Sequence, residues 1–472
     1  MRRRVRLRHG PDPSPQRRFV LLLTQRLAQH IATAMSRPLP PEIALKGRQH
    51  LLDTVAAMVS GSHLAAGRRA LSYCAANRGT GGASVIGSSL VTGTVQAALA
   101  NGMLAHADET DDSHAPSLTH PGCAVVPAAL AVAETRGMSG EALLRAVVAG
   151  YDVGPRISMA LGGEKFFVQH HSSHAVGGLF GAATAAGALF ELNQDQCCSL
   201  LGYAVQMASG NACWRRDPDH IEKAFDFGGM PAMNGTLAAE MVASGFTGVR
   251  DALEGNPGLF SAFPQDAEPA LAIKDLDEVF EISRTAIKKW CVGSPIQAAL
   301  DALQILMKEH RLTPEDIAEI VVALPETSSR VVDDRDMPDV NLQHQLAVLL
   351  LDGSMTFATS HDKGRMRDPA VVAVKGRISL DPRTDEEFQT YTRQAQVTVS
   401  TVDGREHVSK VRHVRGTPHN PMDTDEIVAK ARDLMEPILS KDRTEKVIAS
   451  IMAVETLPDV RALTALLRVA ES

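Results

Sequence analysis

Residues 101–134 read NGMLAHADETDDSHAPSLTHPGCAVVPAALAVAE, and this stretch decides how the chain is organised. Positions 106–120 contain three histidines and four acidic residues, between the apolar runs MLA and AVVPAALAVA. These flanks predict that both ends of the segment enter a core. A carboxylate inside a core must be paired or protonated, so such a segment is either a solvated loop or a site. We interpret it as a site.

Length and charge limit the function classes. A chain of 472 residues is too long for one hydrophobic core and is expected to form more than one domain. The formal net charge is −7 with both signs interspersed, which argues against a nucleic-acid partner. No apolar run reaches the roughly 18 residues that a membrane span needs. We therefore expect no membrane association and a cytoplasmic location.

Cysteine and aromatic content indicate a reduced, helical protein. The six cysteines form no C-x-x-C pair and show no zinc-type spacing with histidine, so we expect reduced, mostly buried thiols. Only 4% of residues are aromatic, whereas alanine, glycine and leucine are abundant. Small side chains of this kind are typical of closely packed helices.

Helical signals dominate the first half of the chain. A helix is predicted to begin at Pro41 and to end at Gly61, because apolar residues recur at spacings of three and four. Ser139 is placed to cap a following helix, and Asn193 with Gln196 matches a capping box. The segment 287–308 reads as a further helix.

Alternating apolar and polar residues appear after position 265. The segments IAEIVVALP, VVAVKGRISL and AQVTVSTVDGREHVSKV are predicted strands, the last with a hairpin turn at Asp403-Gly404. The helical run LQHQLAVLLLDG separates them. The predicted architecture is mainly α with an inserted α+β domain. We place a disordered basic arm at 1–18, a helical domain at 19–265, the α+β domain at 266–410 and returning helices at 411–472.

The segments AHADETDDSH and LTHPG resemble the MmgE/PrpD family, whose usual form is A-H-x-x-D-F-D-D-T-H followed by H-P-G. The resemblance continues through SGEALLRAVVAGYDV, GGLFGAATAAGALFELNQDQ and AAEMVASGFTGVRDALEGNPGLF in the same order. It implies a helical domain with a smaller lid domain, a homodimer, and no metal or organic cofactor. It also implies proton transfer at carbon next to a carboxylate of a small di- or tricarboxylate.

The resemblance also implies a set of catalytic residues. His120 matches the family's active-site histidine, and a free imidazole titrates near neutral pH. The match around QHHSSH is loose, because the spacing to Gly181 would place the family's histidine at Ser172. His171 is preferred there, with His174 next. Glu109 stands where the family has aspartate, and Ser113 stands where it has threonine. The expected catalytic residues are His120, His171, Lys223, Glu109 and Ser113.

A second set is expected to bind the substrate. Lys288 matches the lysine that opens the lid helix, and Asp112 matches the family directly. Gln297 stands where decarboxylases and dehydratases commonly have histidine, and His344 stands near their active-site tyrosine. Asp226 occupies a usual histidine position, and one residue is inserted before Gly235. The expected binding residues are Lys288, His344, Asp112, Gln297 and His174.

These residues favour a cofactor-independent lyase of the dehydratase type, in which His120 and His171 act as acid and base. Lys223 and Lys288 would hold carboxylates and stabilise the charge that develops on them. Two alternatives stay open at this point. The changes at Gln297 and His344 also suit an epimerase acting on an iminodisuccinate-like compound. The changes at Glu109, Gln297 and His344 together suit a dimeric homologue that binds a polyacid without chemistry.

Overall fold

The computed structural model describes residues 23–470, so the predicted basic arm at 1–18 lies outside the described residues. Up to position 262 these residues are mostly helical, with one short hairpin of β1 (Ala83–Ser84) and β2 (Val91–Thr92). The helices are α1 (Leu23–Ala32), α2 (Pro41–Gly61), α3 (Ala65–Ala76), α4 (Thr94–Ala105), α5 (Pro121–Arg136), α6 (Gly140–Ala160), α7 (Glu164–Val168), α8 (Ser173–Leu189), α9 (Gln194–Met207), α10 (Ile221–Ala224), α11 (Met230–Ala243) and α12 (Leu259–Ala262).

The remainder mixes helices with a second sheet. Its helices are α13 (Gln297–His310), α14 (Glu326–Val332), α15 (Leu342–Asp352), α16 (Phe357–His361), α17 (Pro369–Lys375), α18 (Glu386–Thr390), α19 (Thr424–Leu439), α20 (Lys441–Met452) and α21 (Arg461–Leu466). Its strands are β3 (Ile317–Pro325), β4 (Ile378–Arg383), β5 (Ala395–Thr401) and β6 (Glu406–Val411). The predicted fold class, mainly α with a smaller α+β part, is confirmed.

Local capping explains where several helices begin. Helix α2 begins at Pro41 and ends at Gly61, as predicted. The Ser139 hydroxyl accepts a hydrogen bond from the Ala142 amide over 3.2 Å at the start of α6. Asn193 and Gln196 form the predicted capping box of α9. Each cap satisfies amides that the first helical turn leaves unpaired.

The four-stranded sheet has the order β4-β3-β5-β6, in which β3 pairs parallel with β4 and antiparallel with β5. The hairpin at Asp403-Gly404 is confirmed, and Gly404 adopts a φ of +84° that favours glycine. The predicted strand VVAVKGRISL is only half right. Its first part belongs to α17, because Pro369 occupies the first turn and the Asp368 carboxylate accepts from the Ala370 amide.

The predicted helix at 287–308 begins only at Gln297. The preceding residues are extended, because their amides bond to other segments: Ile287 donates to the Gly416 carbonyl over 3.1 Å, and Gly293 donates to the Asp339 carbonyl over 2.9 Å. A 3-10 turn at Ser294–Ile296 then leads into α13. This extended segment carries one of the site lysines.

The buried apolar residues form two main cores. The larger core runs from Leu23 to Cys291 and takes in residues of the C-terminal helices between Met422 and Leu467. The smaller core lies between Trp290 and Val414, around the four-stranded sheet. Apolar side chains as late as position 291 therefore belong to the first core. The domain boundaries at 265 and 410 stay predictions.

The long helices of the described region are too polar to act as membrane spans, since none between residues 23 and 470 has the length and apolar character required. The longest, α2 and α6, each have 21 residues and carry charged side chains. Both contribute mainly to the larger core.

Candidate active site

A short antiparallel bridge brings the polar segment against the extended residues before α13. The Ser113 amide donates to the Ala286 carbonyl over 2.9 Å, and the Ala286 amide returns a bond of 2.8 Å. In this register position 111 lies opposite position 288, and side chains two residues apart point to the same face of an extended segment. The Lys288 ammonium accordingly lies 3.7 Å from the Asp111 carboxylate.

Asp111 is fully buried and holds two histidines at once. Its Oδ2 lies 2.9 Å from Nδ1 of His106, and its Oδ1 lies 3.1 Å from Nδ1 of His120. Burial alone would raise the pKa of Asp111, but the two imidazoles outweigh burial and hold that pKa well below its usual range. An ionised carboxylate can only accept, so each Nδ1 carries the proton. In the neutral rings Nε2 is then the free base.

The loop between the two histidines is closed by its own backbone. His114 and Thr119 form an antiparallel bridge around a 3-10 turn, and Leu118 adopts a φ of +48°. His120 is the residue before α5, and Pro121 begins that helix. The bridge brings His120 back toward Asp111. The imidazole therefore lies at the edge of the buried cluster, with 11% of the His120 side chain exposed.

Glu109 lies between two lysines. Its carboxylate is ion-paired with Lys223 and lies 3.6 Å from the Lys288 ammonium, which also donates to the Glu109 carbonyl over 2.8 Å. Burial would raise the pKa of Glu109, but Lys223 and Lys288 hold it well below its usual range. Two cations are therefore fixed beside the Asp111–His120 pair.

Phe227 forms an aromatic wall behind the histidines. His174 stacks on it with ring centroids 3.7 Å apart, and His106 stacks at 4.4 Å. Phe227 belongs to a π-helical turn, Phe225–Gly229, between α10 and α11. A π-turn contains more residues than an α-turn and is frequent at functional sites. This π-turn therefore accommodates the residue inserted before Gly235.

His220 is a member of this cluster that sequence reasoning missed. Its ring centroid lies 5.2 Å from that of His106, and its backbone adopts a φ of +59° that is uncommon outside glycine. Its Nε2 has no hydrogen-bond partner within residues 23–470. Burial and then Lys223 lower the pKa of His220 well below its usual range, so the ring is neutral. The sequence offers no signal for it, because it lies in an irregular segment.

The predicted residues do not all meet. His120, His174, Lys223, Glu109 and Lys288 converge. His171 lies apart from them, stacked on Phe166 at 4.5 Å and against Phe263 at 5.2 Å. Burial, then His120, His106 and Lys223, lower the pKa of His174 well below its usual range, and its Nδ1 has no partner in the described part of the chain. The structure thus brings His174 into the cluster.

Two predicted binding residues make hydrogen bonds within the fold. Asp112 accepts from the Tyr151 hydroxyl over 2.6 Å and from the Gly122 amide over 3.1 Å, and lies 2.8 Å from Nδ1 of His50. Gln297 bonds through both amide atoms to the backbone of Trp290, and it also donates to the Val292 carbonyl. Both side chains fix the backbone around the site.

His344 and Ser113 have surroundings different from those of the clustered residues. His344 is fully buried within the smaller core, and burial lowers its pKa to about 4. Neither ring nitrogen has a hydrogen-bond partner among the described residues, and the charged groups that influence the ring are Lys375, Arg365 and Asp362 rather than those of the cluster. Ser113 acts through its backbone bridge to Ala286.

Two positions at which the chain departs from the family pattern contact each other. The Ser172 hydroxyl donates to the Asp226 carboxylate and also accepts from the Ala175 amide at the start of α8. Burial raises the pKa of Asp226 to about 7. The family's histidine is expected at both positions, so the two substitutions form one hydrogen-bonded pair here.

Further ion pairs attach the polar segment to later parts of the chain. His361, at the end of α16, lies 2.7 Å from Asp108. Lys430 in α19 donates to the Asp53 carboxylate over 2.7 Å and to the Thr110 carbonyl over 2.9 Å. The segment is therefore fixed by residues of two later helices, α16 and α19.

Two groups place possible metal ligands within 4.8 Å of one another: His106, Glu109 and His220, and then His106, Asp111 and Cys123. Glu109 already pairs with Lys223, and Asp111 already holds two imidazoles. Burial raises the pKa of the Cys123 thiol well above its usual range, which opposes thiolate ligation. These donors therefore fit the lysine ammonium groups better than a metal ion.

Sequence comparison gives the chain's relationships. Residues 25–272 match the MmgE/PrpD N-terminal domain, and residues 290–455 match the MmgE/PrpD C-terminal domain. A cis-aconitate decarboxylase-like protein of Aspergillus oryzae is 24% identical over 94% of this chain and 97% of its own length. Human cis-aconitate decarboxylase is 26% identical over 79% of both chains, and that of Aspergillus terreus is 22% identical over 91% and 92%. The two domain matches together span most of the sequence, and the chain belongs to the MmgE/PrpD family.

Proposed function

We propose that this protein is a lyase that transfers a proton at the carbon next to a carboxylate of a small di- or tricarboxylate, using its own side chains. The observation that carries the proposal is the Asp111–His120 pair beside the lysines that flank Glu109. A base with a free nitrogen and two fixed cations are the groups that this chemistry requires.

His120 is the proposed proton-transfer group. Asp111 binds its Nδ1–H and so leaves Nε2 free to take or give a proton, and it stabilises the imidazolium that forms. His106 has the same tautomer, but its Nε2 is buried without a partner within residues 23–470. His120 is partly exposed, so it can meet a substrate. We propose His174, rather than His171, as the second histidine.

Lys223 and Lys288 are the proposed carboxylate ligands. Removal of a proton next to a carboxylate places a second negative charge on that group, and fixed ammonium groups stabilise it. Both ammonium groups are anchored by Glu109 rather than free to move. Glu109 thus sets where the substrate carboxylate binds.

Dehydration and decarboxylation share these requirements. We propose the dehydratase type as the general reaction, and the names of the three relatives favour decarboxylation of cis-aconitate as the second candidate. Of the three substitutions that favoured a non-catalytic homologue, Gln297 and His344 lie outside the cluster. Glu109 lies inside it and keeps a carboxylate between the two lysines. The site histidines and lysines are intact. A homodimer and a cytoplasmic location stay predictions.

The test is proton NMR in D2O of the purified protein with citrate, 2-methylcitrate, cis-aconitate and iminodisuccinate stereoisomers. Water loss, carbon dioxide loss and stereochemical inversion give different spectra, and proton abstraction next to a carboxylate permits deuterium uptake at that carbon. We expect turnover or deuterium uptake with at least one compound. The His63→Ala variant changes an exposed histidine and should behave as wild type. It is the control for variants of the site histidines. Absence of turnover, exchange and binding across the panel would overturn the proposal.

A further inference from the structure

Three histidines of the cluster, each at least nine-tenths buried, have a ring nitrogen with no hydrogen-bond partner among residues 23–470. These atoms are Nε2 of His106, Nδ1 of His174 and Nε2 of His220. His106 and His174 stack on Phe227, and the His220 ring lies 5.2 Å from that of His106, measured between centroids. Buried polar atoms are normally paired, so unpaired nitrogens gathered at one place indicate a site for a polar ligand.

His220 lies beside the carboxylate that anchors the two lysines. A ring nitrogen of His220, one of His106 and a carboxylate oxygen of Glu109 all lie within 4.8 Å of one another. The same Glu109 carboxylate is ion-paired with Lys223 and lies 3.6 Å from the Lys288 ammonium. Lys288 is as deeply buried as His220. A carboxylate that binds the two ammonium groups is therefore enclosed by the protein and lies within reach of the His220 ring.

One turn of the chain presents both His220 and Lys223. The Asp217 carboxylate accepts from the Asp219 amide over 3.0 Å and from the Lys223 amide over 3.1 Å, so it bonds to the backbone on both sides of His220. The His220 carbonyl accepts from the Ala224 amide over 3.2 Å at the start of α10. The backbone of the turn is therefore held in place, and the imidazole has a fixed position relative to the lysine.

His220 can share an anion with Lys223 because the imidazole is uncharged. Burial, and then Lys223 and His106, lower the pKa of His220 well below its usual range. A neutral imidazole still donates one hydrogen bond from a ring nitrogen. Such a bond is stronger when its acceptor is an ionised carboxylate. The ring therefore adds a directional contact to the anion without adding a third positive charge beside the ammonium groups.

We propose that His220 binds the substrate, by donating a hydrogen bond from Nε2 to the carboxylate that Lys223 and Lys288 hold. This inference rests on the proposed function. The reacting carboxylate is then bound by two ammonium groups and one neutral imidazole, while the proton is transferred by His120. The substrate carboxylate is charged before the proton is removed, so the bond from His220 already exists in the enzyme–substrate complex. Its main contribution is to affinity.

The test compares His220→Asn, His220→Gln and wild type in KM and kcat for whichever polyacid of the NMR panel the wild type converts. Loss of a hydrogen bond to a charged group predicts a KM about 10-fold to 100-fold higher for His220→Asn, with a smaller change in kcat. His220→Gln should recover part of the difference, because the longer side chain carries an amide N–H close to the position of Nε2. His63→Asn, at an exposed histidine, is the control and should leave KM unchanged.

A second readout separates binding from folding. Asparagine readily adopts the left-handed conformation of position 220, so His220→Asn should melt close to wild type without substrate. Its melting temperature should rise less than that of wild type when the polyacid is added. KM does not depend on the amount of folded enzyme, so a purely structural role for His220 predicts an unchanged KM. A wild-type KM in His220→Asn would overturn this inference and leave the proposed function standing. Failure of the wild type to convert or bind any polyacid would overturn the proposed function itself.

Discussion

Nδ1 of His120 lies 3.1 Å from Oδ1 of Asp111, and the other oxygen of the same carboxylate lies 2.9 Å from His106. One buried anion therefore sets the tautomer of two imidazoles. Replacing Asp111 with a neutral side chain of the same size should therefore lower activity more than stability.

Asp111→Asn is expected to lower kcat by roughly 10²-fold to 10⁴-fold, because the amide no longer enforces the Nδ1–H tautomer of His120. Steady-state kinetics with the converted polyacid measure this loss, and circular dichroism verifies that helix content is kept. A variant that retains wild-type kcat would show that Asp111 is only structural.

Lys223→Met should leave the Glu109 carboxylate with one cation fewer and so reduce the free energy of unfolding by about 1–3 kcal/mol, less than for a fully buried pair because Lys223 is partly exposed. The double variant Lys223→Met/Glu109→Gln should recover much of that stability but not the activity. Chemical denaturation and kinetics on both variants provide the measurement. Lys165→Met, at a well-exposed lysine, is the control.

The Asp226 carboxyl should make stability depend on pH. Its folded pKa of about 7 exceeds the usual 3.8, so the folded state binds more protons than the unfolded state between these values. Stability is therefore lost as pH rises through this range. Between pH 5 and pH 8, Asp226→Asn should become increasingly more stable than wild type. The difference in the free energy of unfolding should reach ~4 kcal/mol. Asp381→Asn, at an exposed position, should show no such trend; a pH-independent difference for Asp226→Asn would refute the assignment.

The His361–Asp108 pair should make stability depend on pH in the same direction, but at higher pH. Nδ1 of His361 donates to the Phe357 carbonyl over 2.9 Å, and Nε2 forms an ion-pair contact of 2.7 Å with the Asp108 carboxylate. Burial alone would lower the pKa of His361, but the bond to Asp108 outweighs it and raises the pKa to about 9. The stabilisation is complete below about pH 6.5 and is lost as pH rises through about 9.

His361→Gln should consequently be less stable than wild type by roughly 1–3 kcal/mol at pH 6, with the difference shrinking toward pH 10. Thermal melting at a series of pH values measures it, with His63→Gln as the exposed control. A difference that stays constant to pH 10 would mean that packing, not charge, accounts for the effect of His361.

Sequence patterns located several helices and the hairpin for physical reasons that can be named. Caps such as Asn193 with Gln196 act within four residues, so they can be recognised locally. The resemblance pointed to His120, Lys223 and Lys288, which the structure brings together. It favoured His171 over His174, because local spacing does not show which of the two rings stacks on Phe227; in the structure it is His174.

Other site features depend on long-range pairing and leave no local pattern. Lys288 meets Asp111 because position 113 bridges position 286, and the helix predicted there begins only at Gln297. His220 lies in an irregular segment, where periodicity carries no information. His361 reaches Asp108 from more than 250 positions away in the chain. These residues are recognised only when both parts of the fold are assembled.

The central claim is that His120, oriented by Asp111, transfers the substrate proton. The most direct test is the rate of deuterium uptake from D2O into the converted polyacid, measured by proton NMR for His120→Ala and for His171→Ala. The account predicts that His120→Ala loses roughly 10²-fold or more of the exchange rate and that His171→Ala keeps most of it. Wild-type exchange in His120→Ala, or loss of exchange in His171→Ala alone, would contradict the account.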